Sequence, residues 1–324
     1  MTGASVLVVG SINCDITVRV ADLPLPNQTV LGHDSSITIG GKGLNQAAAA
    51  AAIGADVVFV SAMGADYFGS QIAAYLSRTR VQTGHVRLLD ACASGVAIIT
   101  VDDDGNNVIA VSPGANGHVT PTQVEEAFAD TEEVGVVLMQ LEIPIETVAA
   151  ALELARTRGA ITILNPAPAT RGILALLPLV DILTPNEHEL AELTGMTVED
   201  IKAGGAGFDR AIVQLQQLSG GTIVATRGGD GCTAFNGQRY VRMPAFEMDV
   251  VDTTGAGDVF NGTLAASIAA GQTLDSAMRG ASAAAAISIT RRSAENSAPT
   301  MDEVLALIAS RGMLARVSTG GAIG

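Results

Sequence analysis

The sequence predicts an α/β fold: a three-layer α/β/α sandwich around a mostly parallel sheet, with a small separate β-sheet inserted into it. Three observations carry this. Short apolar runs alternate with longer helical patterns along most of the 324 residues. Two regions break that alternation, because no helical pattern separates their extended runs. Apolar residues make up 48% of the chain but aromatics only 3%, so alanine and β-branched side chains must build the core.

The elements follow in order. Ser5–Gly10 is an apolar run ending in glycine, a buried strand. Ile16–Val20 and Ser36–Ile39 are short extended runs, and Gln46–Gly54 is alanine-rich and helical. Val57–Ala62 reads as a strand and Gly69–Arg78 as a helix. Gly95–Val101 and Asn107–Val111 form a hairpin pattern across the turn-rich Asp102–Asn106. A strand at Val134–Gln140, a helix at Ile145–Arg158 and a strand at Ala160–Asn165 resume the rhythm. Ile182–Thr184 and Thr222–Thr226 are further strands, and Glu187–Thr194 and Phe208–Leu218 are helices. A glycine turn, two alanine-rich helices and a last helix at Met301–Ser310 close the pattern. The expected organisation is one α/β domain over 1–312, with an inserted β lid from about 13–41 and 93–116 and a flexible tail at 313–324.

Composition narrows the function. A formal charge of −15 and a pI near 4.5 exclude the basic footprint of a nucleic-acid binder and any attraction to an anionic membrane surface. Cys14, Cys92 and Cys232 are too few and too scattered for a disulfide framework or a zinc site. With no basic residue before Arg19 there is no signal-peptide pattern, and the alanine runs are too short to span a bilayer. A cytoplasmic protein is expected.

The chemistry concentrates in a few turns. Asp252-Thr253-Thr254-Gly255-Ala256-Gly257-Asp258 opens a long alanine-rich helix. Its glycines present bare N–H groups at a helix N-terminus, where an anion is favoured. A carboxylate in the same turn would repel a stably bound phosphate, but it suits a base that deprotonates a hydroxyl attacking that phosphate. An ordinary glycine turn with an acid in its first helical turn fits the heptapeptide equally well. Gly40-Gly41-Lys42-Gly43-Leu44-Asn45-Gln46 joins a strand to a helix and offers a positive charge and an amide. Asn13 and Asp15 follow the first strand and suit sugar hydroxyls, or an Asx turn. Glu142 lies beyond the strand ending at Gln140. Asn186 and Glu189 have capping-box spacing. Thr226-Arg227-Gly228-Gly229-Asp230-Gly231 either cradles a nucleotide or turns. No Walker-type phosphate loop and no G-x-G-x-x-G after the first strand is present.

Taken in order, GSINCD, GGKGLNQA, MQLE, NPAPA, TPNEHE and DTTGAGD resemble the ribokinase-like (phosphofructokinase-B) family of carbohydrate kinases, across about Ser5 to Ser310. The resemblance implies an α/β sandwich with a β lid and transfer of the γ-phosphoryl group of ATP to the primary hydroxyl of a pentose, D-ribose foremost. Deoxyribose, another sugar or a nucleoside is the alternative acceptor. An inactive sugar-binding regulator is a different class, against which the intact Asp258, Gly255 and Gly257 count. It implies Asp258 as the base, with Gly255, Ala256 and Gly257 as the anion hole. Asn13, Asp15, Gly41, Lys42, Asn45 and Glu142 match sugar contacts. Asn186 and Glu189 match the motif that organises nucleotide phosphates and Mg²⁺, with Asn165 nearby. Thr226, Gly228, Gly231, Gly257 and Ser282 match nucleotide contacts. Asp252, Thr254, Ser288, Arg291, Ser293 and Ser297 match positions around a K⁺ ion. It also implies a homodimer joined through the lids, whose hairpin strands are apolar on both faces. Leu44, Cys14, Arg227, Gly229 and Ser293 depart from the usual family residues.

Overall fold

The computed structural model describes residues 4–292 and 297–311, and the backbone of 316–319. The chain begins with β1 (Ser5–Val9), then β2 (Asn13–Val20), β3 (Gly32–Gly40), α1 (Lys42–Ala52), β4 (Val57–Gly64), α2 (Tyr67–Leu76) and β5 (Gln82–Leu89). The hairpin β6 (Gly95–Val101) and β7 (Asn107–Ser112) leads to α3 (Pro121–Asp130), β8 (Val134–Met139), α4 (Ile145–Arg158) and β9 (Ile161–Leu164). Then come β10 (Ile182–Leu183), α5 (Glu187–Thr194), α6 (Val198–Lys202), α7 (Ala206–Ser219), β11 (Thr222–Thr226), β12 (Cys232–Phe235) and β13 (Arg239–Met243). Helices α8 (Ala256–Ala269), α9 (Leu274–Ser288) and α10 (Met301–Arg311) precede β14 (Arg316–Thr319).

Ten strands form one sheet in the order β14-β13-β12-β11-β10-β9-β8-β1-β4-β5. From β5 to β11 every neighbour is parallel, and β12 to β14 add an antiparallel edge. Alternation along each strand makes the three layers. Leu7 and Val9 of β1 join Val137 and Met139 of β8 in a core under α3, α4 and α7. Val6 and Val8 join Val136 and Leu138 in a second core under α1, α8 and α9. Strand β1 lies where the chain turns in both directions, toward β4 on one side and β8 on the other. The crevice beyond its carboxyl end is therefore where a ligand is expected.

The small sheet has the order β3-β2-β6-β7. Its strands are longer than the sequence runs suggested, and β2 pairs β3 antiparallel and β6 parallel. The register sorts its faces. Thr38, Asp15, Ala97 and Val111 stand in one row, and Ile37, Ile16, Ile98 and Ala110 in the next, on the opposite face. Ile98 and Ile109 thus face opposite ways, with Ile109 on the Asp15 side. Both are exposed, as are Ile37, Val108 and Val111.

Three boundaries correct the sequence reading. Helix α1 starts at Lys42, not Gln46, so Lys42 and Asn45 lie in its first turn. Helix α2 starts at Tyr67 because Asp66 caps it, accepting the Gly69 N–H at 2.7 Å. Within the tail, Arg316–Thr319 forms β14, whose backbone pairs antiparallel with β13. Without it, β13 would present an open edge of main-chain donors and acceptors. Strands β5, β12 and β13 and helices α3 and α6 lie beyond the sequence reading; β5 is polar and partly exposed, and β12 and α6 are only four and five residues long. Among the described residues, no helix is long and apolar enough to cross a membrane.

Candidate active site

The side chains singled out in the sequence converge on the carboxyl ends of β1, β8, β9, β10 and β11. Past β1, Ile12 N–H donates to Asn116 Oδ1 at 2.9 Å, and Asn116 Nδ2 donates to Ile12 O at 3.0 Å and Asn13 Oδ1 at 2.8 Å. Asn116 therefore fixes which way the buried Asn13 amide faces. No pattern in the sequence marks it, because it sits in a short turn more than a hundred positions away. Glu142 Oε2 accepts from Ser11 Oγ at 2.5 Å and from Lys42 N–H at 3.2 Å, which ties β8 to the start of α1. Asp15, on β2, has a buried Oδ1 with no hydrogen-bond partner.

Asp258 lies in the first turn of α8, whose N-cap Gly255 takes a left-handed φ of 77°. That helix has no side-chain cap; the Ala256 N–H donates to Thr253 O at 3.2 Å, and the Gly257 and Asp258 N–H groups that follow are left for another acceptor. Asp258 Oδ2 accepts from Asn45 Nδ2 at 3.1 Å and Oδ1 from Gln46 Nε2 at 2.9 Å, both from α1. A chamber of about 200 Å³ joins Lys42, Asn165, Asn186, Glu189, Gly255, Gly257 and Asp258. Asn186 caps α5, and both Glu189 oxygens take Asn186 donors at 2.8 Å, so the capping reading and the site reading describe the same residues. Beyond it opens a mostly apolar cleft of about 520 Å³, lined by Thr226, Gly228, Gly231, Phe246, Gly257 and Ser282 among others.

The two segments of the candidate cation site meet at the same end of α8. Val251 and Asp252 N–H groups donate to Ile289 O at 2.7 and 3.1 Å, and Asp252 Oδ1 accepts from Thr254 N–H at 2.9 Å. Arg291 reaches the carbonyls of Ser297 and Ala298 at 3.3 and 3.1 Å. Ser288 is buried, and Ser293 lies outside the described residues.

Of the departures from the family pattern, Leu44, Cys14 and Arg227 have structural places of their own. Leu44 and Cys14 are buried in the core beneath α1, and burial pushes the Cys14 thiol up to about 11. Arg227 lies over the Phe208 ring and pairs with Glu187 and Asp230, tying the β11 loop to α5.

A pfkB family carbohydrate kinase model matches residues 4–301. The chain belongs to the pfkB family of carbohydrate kinases. It is 36% identical over 302 residues to a ribokinase of Haemophilus influenzae, covering 92% of this chain and 96% of that one. It is 31% identical to a deoxyribokinase of Salmonella typhi over 303 residues, covering 92% and 96%. Its fold matches the structure of Arabidopsis thaliana ribokinase with ribose and ATP at a TM-score of 0.83 and 30% identity, covering 94% and 99%. The kinase is a phosphotransferase with an alcohol acceptor.

Electrostatics in the kinase site are dominated by carboxylates. Burial first, then Glu142 and Asp258, push Asp15 up to about 7 against the opposing pull of Lys42. Burial likewise pushes Glu189 up to about 7, against the Asn186 N–H and Lys42. Burial alone would lower Lys42, but Asp258, Glu142, Glu189 and Asp15 overcome it and hold the ammonium above its usual range. These raised carboxylates fix the sign of a pH effect. Between an ordinary value of 3.8 and about 7, the folded kinase holds a proton on Asp15 that the unfolded chain has lost. Stability from this group is therefore present at low pH and is lost as pH rises through that window. Asp15→Asn is expected to stabilise the ligand-free kinase by about 1–3 kcal/mol at pH 8. The gain should vanish toward pH 4. Thermal denaturation of both proteins across that range checks it.

Proposed function

We propose that the kinase transfers the γ-phosphoryl group of ATP to the primary hydroxyl of a pentose, D-ribose foremost. The observation that carries this is the position of Asp258. It stands between a polar pocket of Asn13, Asp15, Lys42, Asn45 and Glu142 and a chamber at the open N-terminus of α8. The apolar cleft beside Thr226, Gly228, Gly231 and Ser282 suits the nucleoside of ATP. In the reaction, the acceptor hydroxyl gives its proton to Asp258 and its oxygen bonds to the γ-phosphorus. The bond from that phosphorus to the β-phosphate oxygen breaks, and ADP leaves. The N–H groups at Gly255, Ala256 and Gly257 stabilise the charge on the transferring group. Named ribokinases among the relatives favour ribose, and the deoxyribokinase keeps deoxyribose as the second reading.

Mg²⁺ fits beside Asn186 and Glu189, since a hard cation takes oxygen donors and a buried carboxylate is held there. When bound, it neutralises phosphate charge. K⁺ is placed in this reading at the loop where Asp252 and Thr254 meet the end of α9, beside Ser288, Arg291 and Ser297, where the Ser288 and Ser297 carbonyls already accept from Arg291. It would shape the anion hole without touching substrate. The three free cysteines suit a reducing cytoplasm.

A panel of sugars and nucleosides with coupled detection of ADP, run in K⁺ and in a bulky organic cation at equal ionic strength, tests the reading. Ribose is expected to exceed 2-deoxyribose in kcat/KM by about 10²-fold or more, because a missing hydroxyl leaves buried polar groups unpaired. A nucleoside or deoxyribose with the higher kcat/KM overturns the acceptor. Activity unchanged without K⁺ overturns the cation.

The small sheet is proposed to cover the sugar and to pair two kinases. Its outer row carries the exposed Ile37 and Ile98, and nothing among the described residues buries them. A two-fold dimer buries them against their own copies. Ile98→Asp is expected to weaken association, whereas Ile109→Asp, on the Asp15 face, should raise the KM for sugar. Light scattering that shows a monomer for the unmodified protein at micromolar concentration refutes the pairing.

A further inference from the structure

Behind the base lies a chain of buried amides, of which Asn165 lines the chamber while Gln46 and Gln140 line neither pocket. Gln140, just past β8, donates from Nε2 to Gln46 Oε1 at 2.6 Å. Gln46 donates from Nε2 to Asp258 Oδ1 at 2.9 Å and to Asn165 Oδ1 at 3.1 Å. Asn165 donates from Nδ2 to the main-chain carbonyl of Thr184 at 3.1 Å. Gln46 and Gln140 are fully buried, and Asn165 and Asp258 are nearly so.

The chain has a direction. A main-chain carbonyl only accepts, so Thr184 decides how the Asn165 amide faces and leaves its oxygen toward Gln46. Gln140 donates at the other end of the Gln46 amide. Only one orientation of Gln46 then avoids a clash, with its oxygen to Gln140 and its nitrogen to Asp258. Turned over, its oxygen would face the carboxylate and the Asn165 oxygen, and its nitrogen would face another nitrogen. Packing holds Gln140: a methyl group on Gly10 would fall 2.0 Å from its Oε1, which is buried without a hydrogen-bond partner. A buried orphan of that kind needs an explanation beyond stability, since an apolar side chain there would avoid the cost.

We propose that Gln140 and Gln46 are positioning residues for phosphoryl transfer. Together they form a directed amide relay that occupies Asp258 Oδ1 and leaves Oδ2, beside Asn45, as the oxygen that takes the proton. The relay acts through Asp258, so it rests on Asp258 being the base. The charged groups around that carboxylate are Lys42, Asp15 and Glu189, and the relay itself adds no charge.

Kinetics of three variants in the full-length kinase test this. Gln46→Met keeps the volume and removes the donor. It is expected to lower kcat by about 10- to 100-fold, the worth of one hydrogen bond to a charged group. Both KM values should stay within about threefold. Gln140 is a sharper probe, since it never touches Asp258. An ionised Glu at 140 can only accept, which turns the Gln46 amide over; an apolar Leu merely releases it. Gln140→Glu is therefore expected to have a lower kcat than Gln140→Leu, although it is the closer isostere. A Gln46→Met kinase with unchanged kcat, or with its loss carried by KM, overturns the relay, as does Gln140→Leu equal to or worse than Gln140→Glu. Should Gln46→Met fail to fold, the Gln140 pair decides alone. Asp258→Asn separates the layers: if it retains turnover the base is wrong, and if it is inactive while these variants behave otherwise, only the relay is wrong.

Discussion

Asp258→Asn is expected to lower turnover by about 10²–10⁴-fold while sugar and ATP still bind. The side chain keeps its shape but cannot take a proton from the acceptor hydroxyl at neutral pH. Its surroundings sharpen the expectation. Both carboxylate oxygens accept amide N–H groups, from Asn45 and from Gln46. An Asn at 258 would set its own NH₂ against one of these donors. If it faces Asn45, the defect lies at the sugar side; if it faces Gln46, the relay is disturbed and the sugar contacts persist. Turnover measured beside calorimetric titration of ribose and of an ATP analogue distinguishes lost chemistry from lost binding. Near-normal turnover would remove Asp258 from the base's role.

The contrast between Asp258 and Asn116 shows what the sequence could reveal. Asp258 follows glycines at a helix start, a local pattern whose physics can be read without the rest of the chain. Lys42, Asn45, Asn186 and Glu189 are legible for the same reason: each sits at a strand-to-helix turn, and such turns gather beyond the carboxyl ends of a parallel sheet. Asn116 carries no such mark, since its work is a hydrogen bond to a strand end far along the chain. Gln46 hides differently. It stands before an alanine run, and nothing local says that its amide rather than its helix propensity matters. The same division holds for the fold. Buried parallel strands and the alanine-rich helices are legible in their apolar pattern, whereas α3 is not, although it carries a capping box of Thr120 and Gln123. Strand β5, with a polar outer edge, and the antiparallel β12 to β14, whose order depends on one another, are not legible either. The lid residues Ile98 and Ile109 were recognised as apolar, yet only the register assigned them to opposite faces.

Gly262→Ala is expected to be disproportionately damaging for a single added methyl group. Helices α1 and α8 cross where the Gly262 side chain would be. A Cβ there would lie 2.3 Å from Gln46 O, 2.8 Å from Ala49 Cβ and 2.9 Å from Ala50 N. These neighbours are backbone or a stub of side chain, so no rotamer change relieves the overlap and the helices must separate. In a helix interior the substitution ordinarily gains about 0.5–1 kcal/mol from backbone entropy. Overpacking against fixed neighbours costs about 1–3 kcal/mol, so the net effect is a loss of stability. The functional cost is larger, because the two helices being wedged apart carry Asn45 and Gln46 on one side and Asp258 on the other. A displacement near 1 Å between them is expected to lower kcat by about 10²-fold. Gly280→Ala on α9 supplies the control: its added methyl would come no closer than 3.8 Å to Ser267 Oγ. That variant should be neutral or slightly stabilised, with unchanged kcat. Thermal denaturation and steady-state kinetics on both proteins decide the matter. Equal behaviour of the two would mean that α1 and α8 tolerate separation, and that the base does not depend on their close approach.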